Sequence, residues 1–354
     1  MKVRRLKYAL VYSTPLIVLL SISSGNYWSF SAVLVLFVLI PFLELFTKGS
    51  TKNLEKIEEE IAKEDKIYDW LIYGLVPLQY IILFYFLYQV SNDNLPLHFK
   101  LGATIAFGMA CGILGINAAH ELGHRTTRHE QLMSKMLLLT TLYMHFFIEH
   151  NRGHHKNVST DKDPASSRLG ETVYAFYFRT IWCSWISAWH LEAEKLKRKN
   201  LSFWSINNEM LLFQIIQLIL LVIIGLVFGG TTLLFYTLGA LIGILLLETV
   251  NYIEHYGLRR KKNGESYERT LPIHSWNSNH PIGRLILLEL SRHSDHHYMA
   301  SRKYQILRHF DESPQMPTGY PGMLLLSLFP PLWFKIMHRK IDIYKQTQKG
   351  IELA

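Results

Sequence analysis

Six stretches of the 354-residue chain, 8–22, 27–46, 70–90, 99–119, 208–228 and 232–253, are predominantly apolar and nearly free of charge. Inside lipid every backbone N–H and C=O must be paired within its own segment, so a run of about 20 such residues can cross a bilayer only as a helix. Most of the six reach that length, and 8–22 is the shortest. A chain of this size would ordinarily suggest two domains. Apolar runs spread from residue 8 to residue 253 instead predict a single membrane-embedded unit over 1–354. The expected class is an all-α integral membrane protein with about six transmembrane helices, its polar chemistry carried by 120–200 and 254–310.

Lysine and arginine set the orientation. The start KVRRLK, the loop 47–69, the segment 190–200 and RRKK at 259–262 fall on one side if six helices cross, whereas the loops around 23–26, 91–97 and 229–231 have no Lys or Arg. The positive-inside rule makes the basic side cytoplasmic, and every histidine-rich segment then lies there. The net charge of +9 is accounted for by this asymmetry, and no nucleic acid partner is needed to explain it. MKVRRLKYAL has the flank of a signal peptide, but no A-x-A-like cleavage site follows, so it is read as the first helix of a hairpin. Cys111 and Cys183 make neither a disulfide framework nor a zinc ribbon. The apolar stretch 132–148 is expected to stay on the histidine side, and 174–199, aromatic early and basic late, to lie at the headgroup level.

Nine histidines stand where apolar sequence gives way to polar. They are His120 and His124 in HELGH, His150, His154 and His155 in EHNRGHH, His255 in NYIEHYGL, and His293, His296 and His297 in SRHSDHH. On a helix i and i+4 share a face, so each multi-histidine cluster is expected to aim its rings at one point. A closed zinc site takes four ligands and an open one three, so nine suit two ions with positions left for a substrate or O2. Imidazole alone fits zinc, copper, iron or nickel. The nearby acids Glu121, Glu149, Asp163, Glu254 and Asp295 are expected to orient rings through their free N–H groups and to offset the metal charge. HELGH by itself also matches a zinc protease with Glu121 as general base, a reading that leaves seven histidines unused. A haem carrier would place paired histidines on facing helices, and a metal transporter would need polar or interrupted spans. His98, His145, His190 and His338 are read as satisfied polar or interfacial residues, and His274 and His280 as outer or structural ones.

The segments NAAHELGHR from Asn117, FFIEHNRGHHKNVSTDKDPASSR, NYIEHYGL, HSWNSNH, RHSDHH, RKYQILRHF and MPTGYPGMLLLSLFPPLW resemble the membrane-bound alkane 1-monooxygenases of bacteria. That family sits within the histidine-rich membrane di-iron desaturases and hydroxylases. The resemblance covers nearly the whole chain and is densest from about 117 to 334. It implies two non-haem iron ions on the nine histidines, O2 as co-substrate, and a rubredoxin reduced by an NADH-dependent reductase as electron donor. The implied reaction is hydroxylation of the terminal carbon of an n-alkane, in the bacterial inner membrane with the site facing the cytoplasm. Related methyl hydroxylases of xylene or fatty-acid omega type are the alternative. Ser291, Tyr298 and Arg125 depart from the usual family residues, and none is an expected ligand. No rubredoxin-like CxxC pairs occur, so the donor is expected to be a separate protein that docks on Arg259, Arg260, Lys261 and Lys262.

An alkane has no polar handle and dissolves in the bilayer, so an apolar channel among the helices is expected to deliver it endwise to the metals. Leu36, in the second run, is the candidate stop that sets chain length. Iron is favoured over zinc because an unactivated C–H bond offers a Lewis acid nothing to polarise.

Overall fold

The computed structural model describes residues 5–352, so Lys2 and Arg4 of the basic start lie outside the described residues. Almost every element is helical, apart from a small ladder pairing Lys262–Asn263 with Ser266–Tyr267. The apolar runs become α1 (Lys7–Ser23), α2 (Tyr27–Leu45), α3 (Lys66–Val90) and α4 (Leu97–Gly123). They are followed by α5 (Arg128–Leu139), α6 (Val173–Arg198) and α7 (Glu209–His255). The helices α2, α3, α4 and α7 are long and apolar enough to cross a membrane, while α1 is shorter. The outward-facing side chains of α7, among them Leu218, Ile219, Val222 and Leu226, are exposed apolar surface suited to lipid.

The last two runs form the two helical legs of α7, joined at Gly229, whose φ of 83° and ψ of 165° are non-helical. The chain reverses there. Gln217 Oε1 accepts from Met144 N at 3.1 Å, and Glu248 Oε1 accepts from the neighbouring Tyr143 hydroxyl at 2.8 Å. In a straight helix residues 217 and 248 would lie about 45 Å apart. Adjacent residues reach both only because the two legs fold back as a hairpin, which returns His255 to the end where Glu209 starts. Glu209 is held at that end by Lys135 of α5 at 2.6 Å and Lys195 of α6 at 2.9 Å.

Helix α4 crosses the returning leg of α7 at close range. A Cβ built on Gly108 would come within 2.6 Å of Ile242 Cβ, and one on Gly243 within 2.5 Å of Cys111 Cβ. Gly108 and Gly112 face Gly239 and Gly243, so two small-xxx-small pairs let the backbones approach as membrane helices do where no side chain separates them. Past the crossing, α4 ends in the HELGH segment and α7 ends on His255. The stretch 132–148 does not cross: α5 has 12 residues, about 18 Å of helix, against a hydrocarbon core of about 30 Å. Helix α6 starts on a Thr172 cap, exposes Phe178 and Trp182, and closes with Lys195, Lys197 and Arg198 in its last turn.

Three helical segments widen into π-turns, at Val35–Leu39, Ala110–Ile116 and His150–His154. Two of the three lie directly beside expected metal ligands, in keeping with the tendency of π-turns to mark functional positions.

The reversal at Gly229 provides a clean test. Its conformation is one that only glycine adopts without strain, and nothing lies within 4 Å of an added Cβ. Gly229→Ala is therefore expected to cost about 1–3 kcal/mol through the backbone alone. Gly230→Ala, equally open but with helical dihedrals, should hold or raise the thermal midpoint. Equal midpoints for the two variants in nanodiscs would contradict this account of the turn.

Candidate metal centre

All nine histidines converge, and they fall into two groups. His120, His124, His150, His155 and His296 bring ring nitrogens within 4.8 Å of one another, as do His154, His255, His293 and His297. Two clusters are therefore split between groups, because His154 and His155, and likewise His296 and His297, are sequence neighbours about 100° apart on a helix. The expectation that each cluster aims at one point holds for HELGH alone. In EHNRGHH the π-turn is the reason. An i, i+4 relation would pair His150 with His154, but the widened turn puts the i+5 residue, His155, on the face of His150.

The donor geometry fits cations and does not fit hydrogen bonding. In the first group His296 Nε2 lies 2.9 Å from His120 Nε2 and 3.1 Å from His155 Nε2, and His150 Nε2 lies 3.1 Å from both His155 and His124. In the second, Nε2 separations are 3.2 Å for His154 with His297 and for His293 with His255. A ring nitrogen carries one proton or one lone pair, so five that meet in a chain cannot all satisfy one another. Five lone pairs directed at one cation can. Burial, reinforced by the neighbouring rings, pushes His124 down to about 3 and holds His150, His155, His296, His293 and His297 well below the ordinary histidine range. The neutral ring is the form that binds a metal.

The five acids have different surroundings. Asp163 Oδ2 meets His154 Nδ1 at 2.9 Å and accepts from Ser166, which fixes the His154 proton on Nδ1 and leaves Nε2 as the donor. Glu254 lies on the other side of the rings: Oε2 is 3.1 Å from His293 Nε2, and Oε1 accepts from the Tyr320 hydroxyl. Glu121 and Asp295 meet arginines. Glu121 Oε1 takes Arg125 Nη2 at 2.6 Å, and Asp295 takes Arg302 together with Arg308 N. Glu149 is bonded to Ser187, and its Oε1 has no partner. Glu121 is committed to Arg125 and four other rings gather around His120, which is not the arrangement of a protease with Glu121 as general base.

From this histidine end an apolar cavity opens between α4 and α7. Ile113, Ile116, Leu246, Leu247, Val250 and Leu324 line its length, while His120, His150, His293 and Glu254 close one end. Leu36 is buried in the α2 π-turn and is not part of this lining.

Several residues were not visible from the sequence alone. Asn117 and Asn251 line the cavity, each one helical turn before a histidine at i+3 or i+4, a spacing that was there to be used. His145, read as a satisfied residue, is 5% exposed with Nε2 unpartnered, and it packs edge-on against Tyr143. The His274 ring bonds to Glu268 while its backbone hydrogen-bonds to His255, and the His280 ring bonds to Ser278. Of the basic run, Arg260 is used internally, by the carbonyls of Glu268, Lys156 and Val158.

Comparison with known proteins supplies the lineage of this site. The family described as fatty acid desaturase matches residues 96–326. The alkane 1-monooxygenase of Acinetobacter baylyi is 42% identical over 88% of this chain and 77% of its own length. Alkane 1-monooxygenase 2 of Pseudomonas aeruginosa is 40% identical over 90% of the chain and 85% of its own length. The xylene/toluene monooxygenase hydroxylase component of Pseudomonas putida is more distant, at 29% over 94% and 87%. On the strength of identities near 40% over most of both sequences, the chain belongs to the alkane 1-monooxygenase family of membrane proteins.

Proposed function

We propose that this protein hydroxylates the terminal carbon of n-alkanes to primary alcohols, with two iron ions held by five histidines on one side and four on the other. The observation that carries the reading is the cavity: an apolar space between α4 and α7 whose polar end includes His120, His150, His293 and Glu254. Iron held by these rings would supply the redox chemistry needed to reduce O2 and break an unactivated C–H bond.

The chain's own residues do the rest. Ile113, Leu246, Leu247 and Leu324 exclude water and align the substrate lengthwise, leaving only its end beside the rings. Asp163 holds the proton of His154 at Nδ1. Arg125 neutralises Glu121 next to His120 and His124, and it also contacts Asp69 at 3.3 Å, while Lys303 contacts the same aspartate at 3.0 Å. Electrons come from a soluble redox protein, for which a rubredoxin is the proposed candidate. The inner membrane, with the histidine end on the cytoplasmic side, is the proposed location, supported by the Lys and Arg distribution.

Whole cells offered octane, hexadecane and xylene test the substrate class directly. The expected products are 1-alkanols from the linear substrates. Oxidation of xylene with neither alkane touched would replace this reading with the methyl hydroxylase alternative.

Metal analysis tests the division of the rings. The purified protein is expected to hold about two irons, and His124→Ala and His255→Ala about one each, because they sit in different groups. Asp163→Asn, which loses the anchor of His154, should weaken metal binding about 10 to 100-fold. Loss of both irons on removing either ring would show a single interdependent cluster.

The depressed histidines predict acid sensitivity. Their unfolded-state value is 6.5 and their folded values lie below it, about 3 for His124 and His145, so unfolding takes up protons as the pH falls. This contribution to stability is complete above pH 6.5 and is lost as pH falls from there toward about 3. Iron release should follow the same direction, since protons compete for the same lone pairs. A thermal midpoint that stays level across that window would contradict the burial of neutral rings.

A further inference from the structure

The cavity has a polar feature that an alkane cannot use. Asn117 is 6% exposed, lines the apolar tube close to His120, and its carboxamide makes no hydrogen bond among the described residues. Asn251, 5% exposed, lines the same tube. Its Nδ2 donates to Glu248 Oε2 at 3.1 Å, and Glu248 is itself held by Tyr143 and Thr180, so the amide plane is fixed. Its Oδ1 has no protein partner among the described residues.

An amide that faces an apolar cavity without a protein partner is unfavourable, and a cavity built only for hydrocarbon would be better lined by leucine. Both asparagines also lie one turn before a histidine, at i+3 to His120 and i+4 to His255, which places them at the metal end. The other polar group at that end, Glu254, is already engaged by Tyr320 and His293. The free valences at this end are thus an amide that can donate or accept and a carbonyl oxygen that accepts. A primary hydroxyl on a chain filling the tube would satisfy both.

We propose that Asn117 and Asn251 form a hydroxyl-binding collar at the metal end of the cavity, which takes a 1-alkanol in preference to the alkane of the same length. The inference rests on the alkane reading of the cavity. It adds that the hydroxyl of the chain has its own seat: a hydrocarbon leaves the amides unpaired and an alcohol pairs them, so the alcohol is retained.

The test compares 1-octanol with octane, and 1-hexadecanol with hexadecane, as ligands of the iron-loaded protein in nanodiscs without electron donor. Thermal midpoints are read, with wild type and variants in the same lipid so that partitioning cancels. For wild type the alkanol should stabilise more than the matched alkane. In Asn117→Leu that difference should vanish while the alkane response and iron content persist, and 1-alkanol inhibition of alkane turnover should weaken roughly three- to tenfold, as for one neutral hydrogen bond. Asn117→Leu should also be no less stable than wild type when ligand-free, since it removes a cavity-facing amide that has no protein partner among the described residues, a result opposite to that for a structural asparagine. Asn251→Leu should lose the same discrimination. An unchanged alkanol preference in Asn117→Leu overturns the collar. If wild type discriminates without turnover yet forms no alkanol from either alkane when donor is supplied, the collar stands and the reaction assignment fails.

Discussion

The close crossing of α4 and α7, backbone against backbone at Gly108, Gly112, Gly239 and Gly243, is the contact on which the remaining structure depends. Lipid gives helices no hydrophobic reason to associate, so approach has to come from packing that large side chains would prevent. Each helix continues past the crossing for two to three turns and ends in metal-directed histidines. The cavity is the space that opens between them there, roofed by Leu246 and Leu247 and floored by the rings. A bulkier residue at the crossing would change the angle between the helices. The separation of His120 and His255, and the bore of the tube, would change with it.

Polar groups gather beyond the crossing at a density that an apolar surrounding tolerates only when they are paired. Most are: Asp163 with His154, Glu121 with Arg125, Asp295 with Arg302, and Glu289 with Arg284 at 2.6 Å and the Tyr8 hydroxyl at 2.8 Å. The nine imidazoles are the exception, since, apart from His293, which also meets Glu254, their Nε2 atoms face one another. Cations would resolve that conflict, and the surrounding acids would then offset the charge the cations bring. His145 Nε2 and Glu149 Oε1, both without a partner, border a smaller enclosed void beside His150, the polar counterpart of the apolar tube.

Much of this was legible in the sequence. Run length and charge placement were enough for α2, α3 and α4 and for the membrane class, and the number of clustered histidines was enough to anticipate two groups of rings that could each hold an ion. Runs 208–228 and 232–253 are the two legs of a hairpin that reverses at Gly229, in keeping with two spans joined by a short loop. Two features were hidden, for physical reasons. The crossing glycines were present as G-x-x-x-G in both spans, but a motif on one helix does not name its partner. The acids of HELGH and SRHSDHH read as ring orienters from proximity alone. Adjacency in sequence points side chains about 100° apart, and here it sends Glu121 and Asp295 to arginines.

The π-turn at His150–His154 has a meaning beyond local geometry. In an unbroken α-helix His150 and His154 would lean toward one centre and His155 toward another. The extra residue in the turn exchanges the last two, so that membership of each metal's ligand set is written in helical pitch and not in residue type. Two chains with identical histidines could thus build differently partitioned centres if one lacked the widened turn. In this protein a single surplus amino acid decides which of His154 and His155 joins the five and which joins the four, in a stretch where counting histidines reveals nothing.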